Sequence, residues 1–148
     1  MREDIKALIC RNNHCVLATV SGNKPHCSLM SYAAGPECRE IYMITFRHTT
    51  KYNNLLNNPL VSLLIDTREE NIGTHRSHAK ALTIDGRFRS IDDPGKKDVV
   101  RTQLMATHPH LKELATHPDA EPFAITVESV LLLEGVAEAY FEEIKQDN

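Results

Sequence analysis

Short runs of apolar and β-branched residues, separated by turn signals, dominate the chain and predict β-strands. The predicted strands cover residues 14–20, 25–33, 40–46, 60–66, 79–90, 123–127 and 130–140. The run 60–66 is almost continuously apolar, which indicates a strand buried on both faces. Gly86 and Gly135 interrupt the later runs, and we expect a bulge or bend at each.

Helical spacing of apolar residues occurs in shorter segments between these strands. Residues 3–11 predict a helix, and Thr49 or Thr50 can cap a second one. A third helix begins near Pro94, and a short one covers 109–115. The apolar residues of the third helix are Val99, Val100, Leu104 and Met105. Strands joined by tight turns are antiparallel, and a set of this size can close into a barrel. The prediction is a mainly β fold of six to seven antiparallel strands with short flanking helices.

Composition and charge narrow the function classes. The 148 residues fit one domain, residues 1–148, and an apolar content of 41% is ordinary for a globular protein. The net charge of −3 and the isoelectric point near 6.2 argue against a protein that coats nucleic acid or an anionic membrane. The N-terminus has mixed charge and no apolar run typical of a secretory signal. We therefore expect a cytoplasmic protein with no membrane span, whose four cysteines stay reduced.

The segment from Thr45 to Lys51 carries the clearest chemistry, because it lies between a predicted strand and a predicted helix. A helix start leaves backbone N–H groups unpaired and carries a partial positive charge. The hydroxyls of Thr49 and Thr50 and the cations of Arg47 and Lys51 can converge on this turn, which is the donor set that a phosphate needs. The alternative is a plain helix cap with both cations solvated.

The predicted second strand is another candidate for ligand binding. Alternation places one set of its residues on one face and the other set on the opposite face. The first set is Cys27, Leu29 and Ser31, and the second is His26, Ser28 and Met30. A flat heteroaromatic ring needs an apolar wall and backbone hydrogen-bonding groups at its polar edge, and such a strand can offer both. The alternative is a core strand with one exposed face.

The order and spacing of these motifs resemble a known family. The matching segments are Gly22-Asn23-Lys24-Pro25-His26, Ile44-Thr45-Phe46-Arg47-His48-Thr49-Thr50-Lys51, Asn54-Leu55 and Asn57-Asn58-Pro59-Leu60-Val61-Ser62-Leu63-Leu64. Over residues 14–90 the chain resembles the FMN-binding split-barrel family related to pyridoxamine 5'-phosphate oxidase. The resemblance implies a split β-barrel with FMN as its cofactor.

The resemblance also implies a role for individual residues. The FMN phosphate would be held by Arg47, Thr49, Thr50 and Lys51. The isoalloxazine ring would be lined by Ser28, Leu29 and Met30, and Ile44 and Thr45 would lie under the ring or the ribityl chain. Related oxidases often carry Arg where this chain has Thr50. Family members are typically homodimers with FMN at the interface, so the resemblance implies a second copy of the chain as partner.

The activity that the resemblance implies is that of a flavin-dependent oxidoreductase with an unknown small-molecule or electron-transfer partner. One alternative is an FMN-binding or electron-carrying protein with no organic substrate, and another is a binder of a related deazaflavin. True pyridoxamine phosphate oxidases end in an Arg- and His-bearing signature, whereas this chain ends in the acidic segment 141–148. We therefore expect an activity other than vitamin B6 oxidation.

No metal site is predicted. In a hairpin that turns between Gly22 and Asn23, the numbers of paired residues sum to about 45, so Cys15 faces Met30 rather than Cys27. This stagger keeps the early thiols from converging on one zinc ion. The remaining histidines are interpreted as boundaries of helices and loops. They are His75, His78, His108, His110 and His117.

Overall fold

The computed structural model describes residues 1–70 and 78–147, and all of its strands belong to one antiparallel sheet. The strands are β1 His14–Ser21, β2 Lys24–Ser31, β3 Ala33–Ala34, β4 Glu40–Phe46, β5 Leu60–Asp66, β6 Lys80–Ser90, β7 Ala120–Glu134 and β8 Glu138–Glu143. Seven of them have six residues or more, and β3 has two. His75 lies outside the described residues.

The sheet is curled into a half-barrel, and its strand order shows why. The order is β2-β1-β5-β6-β7-β4-β3, with β8 beside the second half of β7. Strands β2 and β3 are therefore at opposite edges, yet only Tyr32 separates them along the chain. The two edges must approach each other at Tyr32, whose side chain is buried and donates a hydrogen bond to the carbonyl oxygen of Ile9 at 2.6 Å. The predicted split β-barrel is confirmed.

The hairpin of β1 and β2 has the predicted register. Cys15 pairs with Met30 and Ala18 pairs with Cys27, so the numbers of each pair sum to 45. Gly22 supplies the positive φ, +58°, that the tight turn requires. The predicted separation of Cys15 from Cys27 is thus correct.

Strand β7 differs from the prediction, which placed two separate strands at 123–127 and 130–140. The strand is continuous from Ala120 to Glu134, and the polar residue Glu128 is an extra residue opposite the junction of Asp85 and Gly86. The predicted bulge at Gly86 is confirmed, and a Cβ there would lie 2.5 Å from the carbonyl oxygen of Thr126. The polar interruption in the pattern marks this bulge and not the end of a strand.

The last turn is a second correction. Gly135, predicted as a bulge, has φ of +58° and lies in the turn between β7 and β8. The predicted run to residue 140 therefore joins the end of one strand to the start of the next. Periodicity alone does not separate them, because both flanking segments are apolar and strand-like.

Within residues 1–70 and 78–147, four α-helices flank the sheet and create two apolar cores. They are α1 Glu3–Arg11, α2 Thr50–Asn57, α3 Pro94–Thr107 and α4 Lys112–Ala115. The interior of the barrel is one core, and the second lies between α3, α4 and the outer face of β4 and β7. Val100 and Leu104 pack into the second core, whereas Val99, another apolar residue of the predicted helix, is 64% exposed. None of the helices in the described residues is long and apolar enough to span a bilayer.

Strand β5 is buried on one face and not on both as predicted. Val61, Leu63 and Ile65 point into the barrel and are buried, but Leu64 on the other face is only half-buried. Helices α3 and α4 pack on β4 and β7 instead. The outer face of β5 therefore retains apolar surface that the sequence pattern assigned to the core.

Candidate functional site

The two edges of the sheet meet at Tyr32 and diverge from there. Strand β3 pairs with β4 only through Ala33 to Tyr42 and Ala34 to Ile41. On the N-terminal side of Tyr32 lies β2, which pairs with β1 alone. On the other side of the opening, residues 43–46 of β4 pair with β7 alone. In the described part of the chain no strand fills the opening between residues 28–31 and 43–46, which we call the split. Its facing strand edges offer backbone donors and acceptors to a ligand.

Three of the predicted ring-binding residues lie on the β2 side of the split. Ser28 is half-buried and Met30 is buried, while Leu29 between them is 75% exposed. Alternation along the strand explains this pattern, because Leu29 points to the outer face of the sheet. There it pairs with Val16, which in turn pairs with Leu64 on β5. These three side chains form a row that we call the outer apolar row.

The other two predicted residues lie on the β4 side, and their side chains point in opposite directions. Ile44 is buried in the second core with Val100 and Leu104. Thr45 is also buried, and as the next residue on the strand it faces the barrel interior. The two side chains cannot both lie against one ring. From Ile44 only the backbone is available to a ligand in the split.

The turn after β4 begins α2 as the sequence predicted. Thr49 is the N-cap, since its Oγ1 accepts a hydrogen bond from the backbone N–H of Tyr52 at 3.1 Å and donates one to the carbonyl of Phe46 at 3.0 Å. Thr50 is exposed at the first helical position, followed by Lys51. The N–H groups of a first helical turn have no intrahelical acceptor. This end of α2 therefore keeps donors for an anion.

Lys51 is the cation of this turn that remains unpaired. Its side chain is half-buried, and among residues 1–70 and 78–147 its ammonium has no hydrogen-bond or ion-pair partner. Burial lowers the pKa of Lys51 from its ordinary value of 10.5, because the charged form loses hydration. An anion bound at the start of α2 would replace that lost hydration with a direct charge contact.

Arg47 is engaged differently from the prediction. Its guanidinium donates to the carboxylate of Glu121 at 3.0 Å and to the carbonyl of Pro118 at 2.7 Å, and it lies 3.6 Å from the carboxylate of Asp119. Glu121 also binds the ammonium of Lys97 at 2.8 Å. The sequence analysis missed these acidic partners, because Glu121 comes near Arg47 only through the pairing of β4 with β7.

Comparison with known proteins identifies the family. The family model described as pyridoxamine 5'-phosphate oxidase matches residues 1–134. The chain belongs to this family. No curated protein matches this chain.

Solved structures of other proteins share the fold at low sequence identity. A heme binding protein from Mycobacterium smegmatis has a TM-score of 0.79 and 15% identity, and the match covers 93% of this chain but 56% of that one. A FAD-binding protein from Mesorhizobium loti gives 0.71 and 21%, with coverage of 87% and 89%. A putative pyridoxamine 5'-phosphate oxidase from Listeria innocua gives 0.68 and 20%, with 88% and 96%. The chain thus spans little more than half of the heme binding protein, and these likenesses concern the fold.

Proposed function

We propose that this chain is a flavoprotein that binds FMN in the split, with the FMN phosphate at the start of α2. The observation that carries the proposal is Lys51, a half-buried ammonium without an anionic partner in the described residues, beside a helix N-terminus. A phosphate dianion satisfies the charge and the free N–H groups at once. The family supports a flavin, and FMN has the terminal phosphate that this turn accommodates.

Each residue of the proposed site has a defined task. Lys51 and the N–H groups of Thr50 and Lys51 hold the phosphate, and the Thr49 hydroxyl keeps the first turn of α2 in place. The backbone edge of Ser28 to Met30 faces the polar rim of the ring. On the other side, Ile44 contributes its backbone, and Thr45 contributes the side chain that faces the barrel interior. Arg47 joins the phosphate only when its guanidinium leaves Glu121.

The proposed activity is that of an oxidoreductase other than a pyridoxamine phosphate oxidase. Bound FMN supplies hydride or electron transfer, while the protein positions the ring and controls its access to water. An electron carrier without an organic substrate is the alternative, and a deazaflavin is the alternative cofactor. A cytoplasmic location, in which the four unbonded thiols stay reduced, belongs to the same proposal.

The test compares FMN binding by the wild-type protein, Lys51→Ala and the control Lys112→Ala. Lys112 is an exposed lysine on a different helix, α4. A charge-assisted hydrogen bond contributes about 1.5–3 kcal/mol, so Lys51→Ala should weaken FMN binding roughly tenfold to more than a hundredfold. Flavin fluorescence quenching gives the dissociation constants. Equal affinities for Lys51→Ala and wild type, or haem bands in place of flavin bands in the purified protein, would contradict the proposal.

A second copy of the chain completes the proposed site. The outer apolar row of Leu29, Val16 and Leu64 runs across β2, β1 and β5, and Leu29 is 75% exposed in the single chain. A partner that covers this row removes apolar surface from water next to the split. Light scattering of the FMN-bound protein should give twice the 16.7 kDa of one chain. A monomer that retains FMN at the same concentration contradicts the dimer.

A further inference from the structure

Three histidines from two separate segments meet at Tyr32, the closed end of the split. His14 is the first residue of β1, His108 ends α3, and His110 lies in the 3-10 turn that follows. The sequence analysis interpreted the latter two as helix boundaries and predicted no metal ligands. The boundary role of His108 is confirmed, but the structure adds a cluster that we call the histidine triad.

The rings of the histidine triad are close enough to share one ligand. Their centroids are 5.5 Å apart for His14 and His108, 5.7 Å for His108 and His110, and 6.4 Å for His14 and His110. Each ring offers a nitrogen atom, and these three atoms all lie within 4.8 Å of one another. Protonated imidazoles would repel one another at this distance, whereas neutral imidazoles can bind one cation together.

Two of the rings are anchored through one nitrogen each, which leaves the other nitrogen available to a metal. Nε2 of His108 lies 2.8 Å from the carbonyl oxygen of Tyr32, and Nδ1 of His14 lies 2.6 Å from the side-chain oxygen of Asn13. Both oxygens accept hydrogen bonds, so the neutral rings carry their protons on these atoms. The other nitrogen of each ring keeps a free lone pair. This outer contact to a carbonyl or amide oxygen is typical of metal-binding histidines.

The exposure of the three side chains fits a site that forms around an ion. His108 is 1% exposed, whereas His14 and His110 are exposed at the surface. Zinc binds imidazole nitrogen at about 2.0–2.1 Å, which sets neighbouring nitrogen atoms about 3.4 Å apart in a tetrahedron. To reach this spacing, the two exposed rings must rotate toward His108 and shorten the observed distances between the nitrogen atoms. Imidazole ligands suit zinc, copper, nickel and iron rather than magnesium or calcium.

The surroundings of His14 favour a cation. His14 lies at the wall of a cleft of about 620 Å³, whose charged lining groups are Asp66, Arg68, Glu69 and Glu70. Arg68 already binds Asp66, at 2.7 Å, which leaves the carboxylates of Glu69 and Glu70. Three protein ligands leave the fourth tetrahedral position open to water.

We propose that His14, His108 and His110 bind one divalent transition-metal ion, for which Zn²⁺ is the probe. The ion would connect the segment after α3 to the start of β1 and to Tyr32, where the two edges of the sheet meet. The proposal does not depend on FMN, because the triad lies at the opposite end of the split from Lys51. It concerns a site that neither the fold nor the flavin proposal requires.

The test titrates Zn²⁺ into untagged, chelator-treated protein and follows binding by calorimetry. Wild type should bind one ion per chain, and its melting temperature should rise by about 5–10 °C at a hundredfold excess over the dissociation constant. His14→Ala and His110→Ala should each weaken binding by about a hundredfold or more. Both side chains are exposed, so both variants should fold. His26→Ala, another exposed histidine, is the matched control and should bind as wild type does.

Three results would overturn the metal site. One is a wild-type protein that takes up no stoichiometric Zn²⁺. Another is uptake by His14→Ala and His110→Ala with wild-type affinity, which would assign the ion to exposed thiols such as Cys10 and Cys27. The third is an equal loss in His26→Ala, which would indicate general surface binding.

Discussion

The two ends of the split differ in what they offer a ligand. At the start of α2 a half-buried ammonium, Lys51, lacks an anion among the described residues, and unpaired N–H groups surround it. At Tyr32 three imidazoles present lone pairs, and two of them are anchored by oxygen acceptors. One end suits an anion and the other suits a cation. A single opening in a sheet can have such opposite ends because different elements lie beside them: a helix start at one end and a helix end at the other.

The largest expected effect is at His108, because this residue is both a proposed metal ligand and a buried structural contact. His108→Ala removes the hydrogen bond to the carbonyl of Tyr32 and leaves that buried oxygen without its donor. Loss of such a partner costs about 1–3 kcal/mol. His110→Ala changes an exposed side chain and should alter the metal-free stability by less than about 0.5 kcal/mol. Urea unfolding of both metal-free variants measures the free energies of unfolding.

The informative quantity is the difference between the two variants in the free energy of unfolding. Equal destabilisation would mean that the histidine triad is a packed cluster, in which His110 contributes as much as the buried ring. The expected inequality would leave His110 free to serve as a ligand. His108 would then have a structural task in addition to its proposed role at the metal.

The helix start at the Lys51 end of the split was predictable from the sequence, because it depends on local residues. The cap at Thr49, the start of α2 and the position of Lys51 depend on a few consecutive residues. The β1–β2 register depends only on the turn at Gly22. Such features follow from local backbone geometry, so a pattern of neighbouring residues is enough to predict them.

The rest depended on pairing between distant segments. Arg47 meets Glu121 because Thr45 pairs with Glu121 across β4 and β7, and nothing near Arg47 in the sequence indicates that register. His14 and His108 likewise meet only because α3 ends beside Tyr32. Periodicity also cannot tell which layer covers a strand face, which explains the wrong expectation of full burial for 60–66.

Lys51 provides the finest test of the anion end, through the pH dependence of stability without a ligand. Burial lowers its pKa in the folded protein below the ordinary 10.5 of the unfolded chain. Between those two values the unfolded chain binds more protons, so the free energy of unfolding rises with pH in this alkaline range. The matched variant Lys51→Met keeps the length of the side chain and lacks the charge. Wild type should therefore gain stability relative to Lys51→Met as the pH rises toward 10.5.

Bound phosphate should reverse this small effect. A dianion at the start of α2 favours the charged ammonium and raises its pKa, so with saturating FMN the stability of wild type relative to Lys51→Met should fall with pH over the same range. Urea unfolding at several pH values, with and without FMN, measures both trends. A difference between the two proteins that stays constant with pH in the absence of FMN would show that the ammonium is hydrated in the folded state. In that case the charge at the start of α2 would offer no more to an anion than an ordinary surface lysine does.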